Sequence, residues 1–177
     1  QWLQGFDVDR FVDAVGNVPG DWIRDQIRLF ASATWPERSL RIWFDLLLHL
    51  WDREYLKRQE LLNQWLNDLL PFPGEAYRQF IKEFVQANKL IERELFIGGR
   101  LIDPSLITCP VLVLAHTEDL LAPPDSARAL VDLVTSTDRE FFEVSGGNGG
   151  HIDIVVGSEG PTVTWPKVSA WLQARSG

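Results

Sequence analysis

The chain has 177 residues, of which 45% are hydrophobic and 24% are charged, so it can fold as one domain with a sizeable core. Its net charge of -8 argues against nucleic acid as a general partner, because phosphate binding needs a basic surface. The single cysteine excludes an internal disulfide framework and any all-cysteine zinc cluster, and it fits a reducing compartment.

Neither a membrane span nor a secretory signal is predicted. No apolar run approaches the roughly 18 residues that a spanning helix needs, and the N-terminus lacks a basic start. The chain has no methionine, even at position 1, which predicts a processed, trimmed or partial polypeptide. Together these features predict a cytoplasmic protein.

Residues 1–92 carry apolar side chains at helical spacing and do not alternate with period two. The apolar positions form four stretches: Ile23, Ile27 and Phe30 after a candidate N-cap at Asp21; Leu40, Trp43, Leu47 and Leu50 after Pro36; Leu61, Leu62, Trp65, Leu66 and Leu69; and Tyr77, Phe80, Ile81, Phe84 and Val85. Six of the eight tryptophans lie in this region. We predict a helical cap or lid with an apolar inner face over 1–92.

Residues 93–177 follow a different pattern, typical of an α/β core. A hairpin is predicted around Gly98 and Gly99, and a buried strand over 107–115. A helix capped by Asp125, a strand over 139–144 and a final helix capped by Thr164 follow. This strand–helix–strand–helix order predicts a parallel sheet.

Candidate catalytic residues follow the two predicted strands. His116, Glu118 and Asp119 come after the first strand, and His151 comes after the second, behind the glycine-rich run GGNGG. In parallel sheets the chemistry lies at the carboxyl ends of the strands, so the two loops are expected to be neighbours. A histidine base with an aspartate that orients it is what nucleophilic catalysis needs. We therefore predict Asp119 and His151 as a catalytic pair.

Simpler interpretations compete at several of these residues. The glycine run can also cradle a phosphate, although it lacks the lysine and hydroxyl of a P-loop. Asp119 can be a turn residue, and His116 and His49 fit structural roles. Cys109 sits in the predicted buried strand, where we interpret it as a packing residue and not as a nucleophile.

Several stretches resemble the C-terminal part of the polyhydroxyalkanoate synthases, α/β-hydrolase-like enzymes that polymerise hydroxyacyl thioesters. In chain order they are FPGEAYRQFIKEFVQANKL, LFIGGRLIDPSLITCPVLVLAHTEDLLAPP, GGNGGHIDIVVG and TWPKVSAWLQARS. The resemblance implies a partial α/β-hydrolase fold: a helical cap over 1–92, followed by the C-terminal strands and helices of a parallel sheet over 93–177.

The family uses a cysteine on a G-x-C-x-G turn, a histidine and an aspartate. By resemblance, His151 matches the histidine and Asp119 the aspartate. The chain contains no G-x-[SC]-x-G sequence, so the resemblance implies that the nucleophile is not in this chain. Many relatives carry histidine after the aspartate, where this chain has Leu120, and no role is assigned to that position.

The implied function is acyl transfer that polymerises (R)-3-hydroxyacyl coenzyme A into polyester and releases coenzyme A. The implied partners are that thioester, the growing polyester, the missing N-terminal half of the enzyme and a second copy that assembles through the cap. No metal or organic cofactor is implied, and this chain alone is expected to be inactive. The implied location is the cytoplasm, with the surface of polyester granules as an alternative.

Two other functions stay open at this point. An ester hydrolase of the same fold would carry serine in place of the cysteine, and fold alone does not separate the two reactions. A non-catalytic module that binds a second polypeptide through its aromatic helices is the other alternative.

Overall fold

The structure, a computed structural model, describes residues 2–34, 40, 43–44, 46–119, 121–146 and 151–176. The chain divides into two compact units, Gln1–Ala87 and Asn88–Gly177. The assignment of residues 1–92 as a cap and of residues 93–177 as part of the core stays a prediction. Within the described residues, every helix is too short or too polar to cross a lipid bilayer.

The described part of the first unit is mainly helical, and Val18 and Phe72 form an antiparallel bridge within it. Its helices are α1 (Val8–Val15), α2 (Gly20–Thr34), α3 (Arg53–Asn67) and α4 (Gly74–Gln79). A 3₁₀ turn at Trp2–Gly5 precedes α1, and α4 continues as a π-helix over Phe80–Gln86. Three of the four predicted helical stretches are thus found, and in the fourth, which follows Pro36, the described residues 40, 43–44 and 46–48 are helical as well.

Helix α1 shows how local sequence sets the ends of an element. The Asp7 side chain accepts a hydrogen bond from the Arg10 backbone N–H at the N-terminus. Gly16 ends the helix with φ of +69°, a left-handed conformation that glycine adopts without a steric penalty. The buried face of α1, Val8 and Val12, packs with Ile81 to form the core of this unit.

The start of α2 differs from the prediction. The helix begins at Gly20, so Asp21 lies in its first turn, where its carboxylate accepts from the Trp22 N–H. Gly20 packs directly against the chain near Leu69: a Cβ at position 20 would lie 1.8 Å from the Leu69 carbonyl oxygen. This close approach needs glycine, a requirement that a local search for capping residues does not detect.

The second unit contains both helices and strands, in agreement with the α/β class. Its strands are β1 (Phe96–Ile97), β2 (Arg100–Leu101), β3 (Val111–His116) and β4 (Arg139–Val144). Its helices are α5 (Pro124–Leu133), α6 (Asp153–Val156) and α7 (Trp165–Gln173), with a 3₁₀ turn at Pro104–Leu106 and a π-helix at Gly160–Thr164.

The predicted hairpin is confirmed. Strands β1 and β2 pair antiparallel, and Gly98 and Gly99 between them have φ of +56° and +77°. Two successive positive φ values define the tight turn whose twist matches that of paired strands, and glycine is the residue that adopts both without strain.

Strands β3 and β4 form a parallel pair with α5 between them in sequence, as predicted. The first strand is shorter than expected, because it begins at Val111 and not at residue 107. Pro110 has no N–H to donate to a neighbouring strand, which accounts for the later start. Cys109 consequently lies outside the strand and is exposed, so its interpretation as a packing residue is wrong.

Two predicted helix caps are also wrong. Pro123 occupies the N-cap position of α5, and Asp125 falls within the first turn. There its negative charge interacts favourably with the positive end of the helix dipole. Thr164 precedes α7, but its backbone is already helical and its buried hydroxyl has no partner among the described residues. A preceding π-helix replaces the expected cap, since it delivers the chain to α7 in helical conformation.

Candidate active site

The carboxyl ends of β3 and β4 lie level with each other. His116, the last residue of β3, is in register with Val144, the last residue of β4. The next residue, Thr117, extends the ladder because its N–H donates to the Val144 carbonyl oxygen at 2.9 Å. The loops that leave the two strands therefore start side by side, as the sequence predicts.

Asp119 is buried in the first of these loops, with 3% of its side chain exposed. Oδ1 accepts hydrogen bonds from the backbone N–H groups of Leu121 at 2.9 Å and Ala122 at 3.0 Å. The Asp119 N–H itself donates to the carbonyl oxygen of His116 at 3.0 Å. These bonds fix the carboxylate in one orientation and leave Oδ2 for another donor.

That donor is His151. Its Nδ1 lies 2.7 Å from Asp119 Oδ2, across 32 residues of sequence. An ionised carboxylate only accepts hydrogen bonds, so Nδ1 carries the proton and a neutral ring has its lone pair on Nε2. Half of the His151 side chain is exposed. Thus the aspartate holds the protonated side of the ring, and no hydrogen bond within the described part of the chain engages Nε2.

Gly146 starts the segment that leads from β4 to His151. Its φ is +106°, a conformation that residues with a Cβ rarely adopt. The first glycine of the run therefore turns the chain sharply after the strand. Residues 147–150, the rest of the run, lie outside the described residues.

His116 is a structural centre of this site, which agrees with the structural role considered for it, although the sequence did not indicate its partners. It is fully buried, and both ring nitrogens are bonded to backbone. Nδ1 accepts from the Glu118 N–H at 3.0 Å, which places the proton on Nε2, and Nε2 donates to the Gly146 carbonyl oxygen at 2.9 Å. The only sequence signal was a histidine at a strand end close to Asp119, which did not distinguish a buried linker from an exposed ligand.

A buried carboxylate near Gly146 was also missed. Glu159 is 8% exposed, and its Oε1 accepts from the Ser158 hydroxyl at 2.7 Å. A Cβ built on Gly146 would lie 3.9 Å from this Oε1. Nothing in the local sequence GSEG indicates burial of the glutamate.

The other candidate residues do not join the pair. Glu118 is exposed, and Leu120 lies outside the described residues. Cys109 precedes the amino end of β3, and the strand between it and Asp119 is about 17 Å long at roughly 3.3 Å per residue. The ring of His49 stacks on Tyr55 in the first unit, with 4.6 Å between ring centroids. In the parts of the chain that the structure describes, no group of three metal-ligating side chains converges on a point.

Parallel strands whose loops bring a histidine–aspartate pair to one rim define an α/β protein, and such a pair carries the groups that acid–base chemistry needs. The chain is 33% identical over 174 residues to the poly(3-hydroxyalkanoate) polymerase subunit PhaC of Allochromatium vinosum, and it covers 47% of that protein. It is 32% identical over 164 residues to PhaC of Haloferax mediterranei and 31% identical over 172 residues to PhaC of Synechocystis sp.. The resemblance to polyhydroxyalkanoate synthases is confirmed.

These alignments cover 98%, 93% and 97% of the chain, which matches the C-terminal part of the synthase. The chain spans about half the length, or less, of the curated relatives that it matches. No family model matches the chain.

Proposed function

We propose that this chain is the acid–base part of a polyhydroxyalkanoate synthase, with His151 as general base and Asp119 as the residue that orients it. The observation that carries the proposal is the 2.7 Å hydrogen bond between His151 Nδ1 and Asp119 Oδ2, at the carboxyl ends of two parallel strands. Support for the substrate comes from the similarity to PhaC polymerases over nearly the whole chain.

In the proposed reaction, His151 Nε2 takes the proton from a cysteine thiol that belongs to the enzyme outside this chain. The thiolate attacks the carbonyl carbon of a (R)-3-hydroxyacyl coenzyme A thioester. The bond to the coenzyme A sulfur breaks, and the leaving thiolate takes the proton back from His151. The acyl group is then held on cysteine as a thioester.

Chain growth needs the hydroxyl group of one acyl thioester to attack the carbonyl carbon of another, which forms an ester bond and breaks the carbonyl–sulfur bond. In the proposal His151 removes the hydroxyl proton and gives it to the released thiolate, and Asp119 stabilises the imidazolium that forms in between. Direct activation of the hydroxyl by Asp119 is the less favoured alternative, because the carboxylate is buried and both of its oxygens are already bonded within the protein.

The fold proposed for the complete protein is of the α/β-hydrolase type. Strands β3 and β4 would be the last strands of its parallel sheet, residues 1–92 its cap, and a second copy its partner. Sequence outside this chain would add the remaining strands, the cysteine and the oxyanion hole. Since general acid–base groups alone have no nucleophile to activate, this chain by itself would be inactive in acyl transfer.

The test uses the complete protein, incubated with (R)-3-hydroxybutyryl coenzyme A, with coenzyme A release and polymer formation measured separately. The proposal predicts release of coenzyme A with accumulation of polyester, and loss of both in the His151→Gln variant. Release of free hydroxy acid without polymer would show a hydrolase instead. Full activity in His151→Gln would overturn the assignment of the base.

A further inference from the structure

We infer that His116 is a positioning residue that holds the two loops of the His151–Asp119 pair in register. The inference rests on the proposed function, and it adds a residue that touches neither substrate nor nucleophile. Its basis is that one buried ring is bonded to both loops at once.

His116 makes two hydrogen bonds with the loop that carries Asp119. Its ring Nδ1 accepts from the Glu118 N–H, and its own carbonyl oxygen accepts from the Asp119 N–H. A side-chain bond and a backbone bond thus close a tight turn directly before the carboxylate. Because Asp119 Oδ2 must meet His151 within hydrogen-bond distance, this turn sets where the carboxylate lies.

The contact with the other loop is a single bond, from His116 Nε2 to the Gly146 carbonyl oxygen. Gly146 has φ of +106°, so its peptide planes can rotate easily unless something holds them. The bond to a fully buried ring restrains that rotation at the point where the segment toward His151 begins. Loss of the bond would leave both the donor and the carbonyl oxygen to find new partners.

The two hydrogen bonds of the His116 ring can be removed separately by substitution. In His116→Gln the side-chain amide can still donate to Gly146 but no longer accepts from Glu118. In His116→Asn the side-chain oxygen can still accept from Glu118 but the donor to Gly146 is lost. Since the bond to Gly146 holds the chain where the connection to His151 begins, glutamine is expected to preserve the pair better than asparagine.

Ser136 provides a matched control for burial and hydrogen bonding. It is 3% exposed, and its hydroxyl donates to the Asp138 carbonyl oxygen and accepts from the Asp138 N–H. Like His116, it bridges backbone groups beside a strand, but it lies before the amino end of β4. Ser136→Ala therefore removes two comparable bonds at the end of the sheet away from the pair.

The experiment compares His116→Ala, His116→Gln, His116→Asn and Ser136→Ala in the complete protein. Three quantities are measured: the thermal unfolding midpoint, kcat and KM for coenzyme A release, and the ¹⁵N–¹H spectrum of the histidine rings. That spectrum shows which nitrogen of His151 carries the proton, and His151→Gln assigns its signals.

We expect His116→Ala and His116→Asn to lower kcat about tenfold to a hundredfold with little change in KM, as misplacement of a catalytic group does. The His151 signals should lose their fixed Nδ1–H form, while His116→Gln retains it. Ser136→Ala should lower the unfolding midpoint and leave kcat and the His151 signals unchanged. Wild-type kcat and unchanged His151 signals in His116→Asn would overturn the inference.

Two further outcomes are decided by the same data. If His116→Ala does not fold, the other two variants decide the question. A higher kcat in His116→Gln than in His116→Asn supports the inference, and the reverse order contradicts it. If His151→Gln keeps full activity, the proposed function fails, but the ring spectra still report whether His116 positions His151.

Discussion

His116 and Val144 end their parallel strands opposite each other. Because the strand ends are level, loops that are about 30 residues apart in sequence leave the sheet at the same edge. The short distance between Asp119 and His151 depends on this register, since a slip of one residue would move one loop by about 3.3 Å and reverse the face of every side chain in the strand.

Gly146→Ala should destabilise the protein and impair catalysis together. A Cβ there has room, since the closest atom is Glu159 Oε1 at 3.9 Å, so the penalty comes from the positive φ and not from a clash. We expect a loss of about 1–3 kcal/mol in the free energy of unfolding, measured by denaturant titration. In the complete protein, this variant should also release coenzyme A more slowly than the wild type.

Gly5→Ala is the control for that substitution, because Gly5 has no positive φ and no atom within 4 Å of a built Cβ. It should change neither stability nor rate by a comparable amount. Equal stability of Gly146→Ala and the wild type would contradict the requirement for glycine at the start of the segment toward His151.

The Asp9 ion pairs should make the stability of the first unit fall in acid. Hydrogen bonds from Lys82 and Arg78 hold the pKa of Asp9 below its ordinary value of 3.8. A carboxyl group with a lowered pKa in the folded state adds stability above its unfolded pKa, and the contribution disappears as pH falls through the folded pKa. The stabilisation should therefore be complete at neutral pH and fade below about pH 4.

Thermal unfolding of wild type and Asp9→Asn, followed from pH 7 to pH 2.5, measures this effect. The difference between their unfolding midpoints should shrink as the pH falls below about 4. Asp68→Asn is the control, since that carboxylate is exposed and makes no hydrogen bond among the described residues. A midpoint difference for Asp9→Asn that stays constant with pH would contradict the role of these ion pairs.

Arg175 should not be replaceable by lysine. Its Nε and Nη2 donate to both oxygens of Asp138, at 2.6 and 2.5 Å, and its guanidinium lies 4.0 Å from the centre of the Trp171 ring. These bonds join the end of α7 to the chain before β4, and they lower the pKa of Asp138. A lysine ammonium is a single point charge, and it lacks the planar guanidinium that donates to both carboxylate oxygens at once.

Arg175→Lys should consequently lower the unfolding midpoint by nearly as much as Arg175→Ala does, when both are measured by calorimetry. Arg139→Lys offers a comparison, because within the described residues the Arg139 guanidinium donates to the carbonyl oxygens of Val131 and Val134, which an ammonium can also reach. A lysine at 175 that restores wild-type stability would show that charge alone is enough there.

The features that the sequence predicted well are those set by short-range pattern. The hairpin followed from the pair Gly98 and Gly99, and the meeting of Asp119 with His151 followed from the rule that parallel strands carry their chemistry at the carboxyl ends. Both patterns act through backbone geometry, which the residue types constrain directly.

The features that sequence reasoning missed depend on contacts between distant parts of the chain. Gly20 is required by its close approach to Leu69, and the buried ring of His116 is bonded to Gly146. Neither of these partners is adjacent in sequence, so local propensity could not identify them. Cys109 was misplaced for a local reason, because Pro110 delays the start of the strand.

The most direct test of the account is a double-mutant cycle on the catalytic pair in the complete protein. Rates of coenzyme A release are measured for His151→Gln, Asp119→Asn and the double variant, with Asp132→Asn as an exposed control on α5. If the two residues act as a unit, each single variant loses about 10²–10⁴-fold in kcat, and the double variant is no slower than the slower single variant. Multiplicative losses, or wild-type rates in either single variant, would contradict the claim that Asp119 acts through His151.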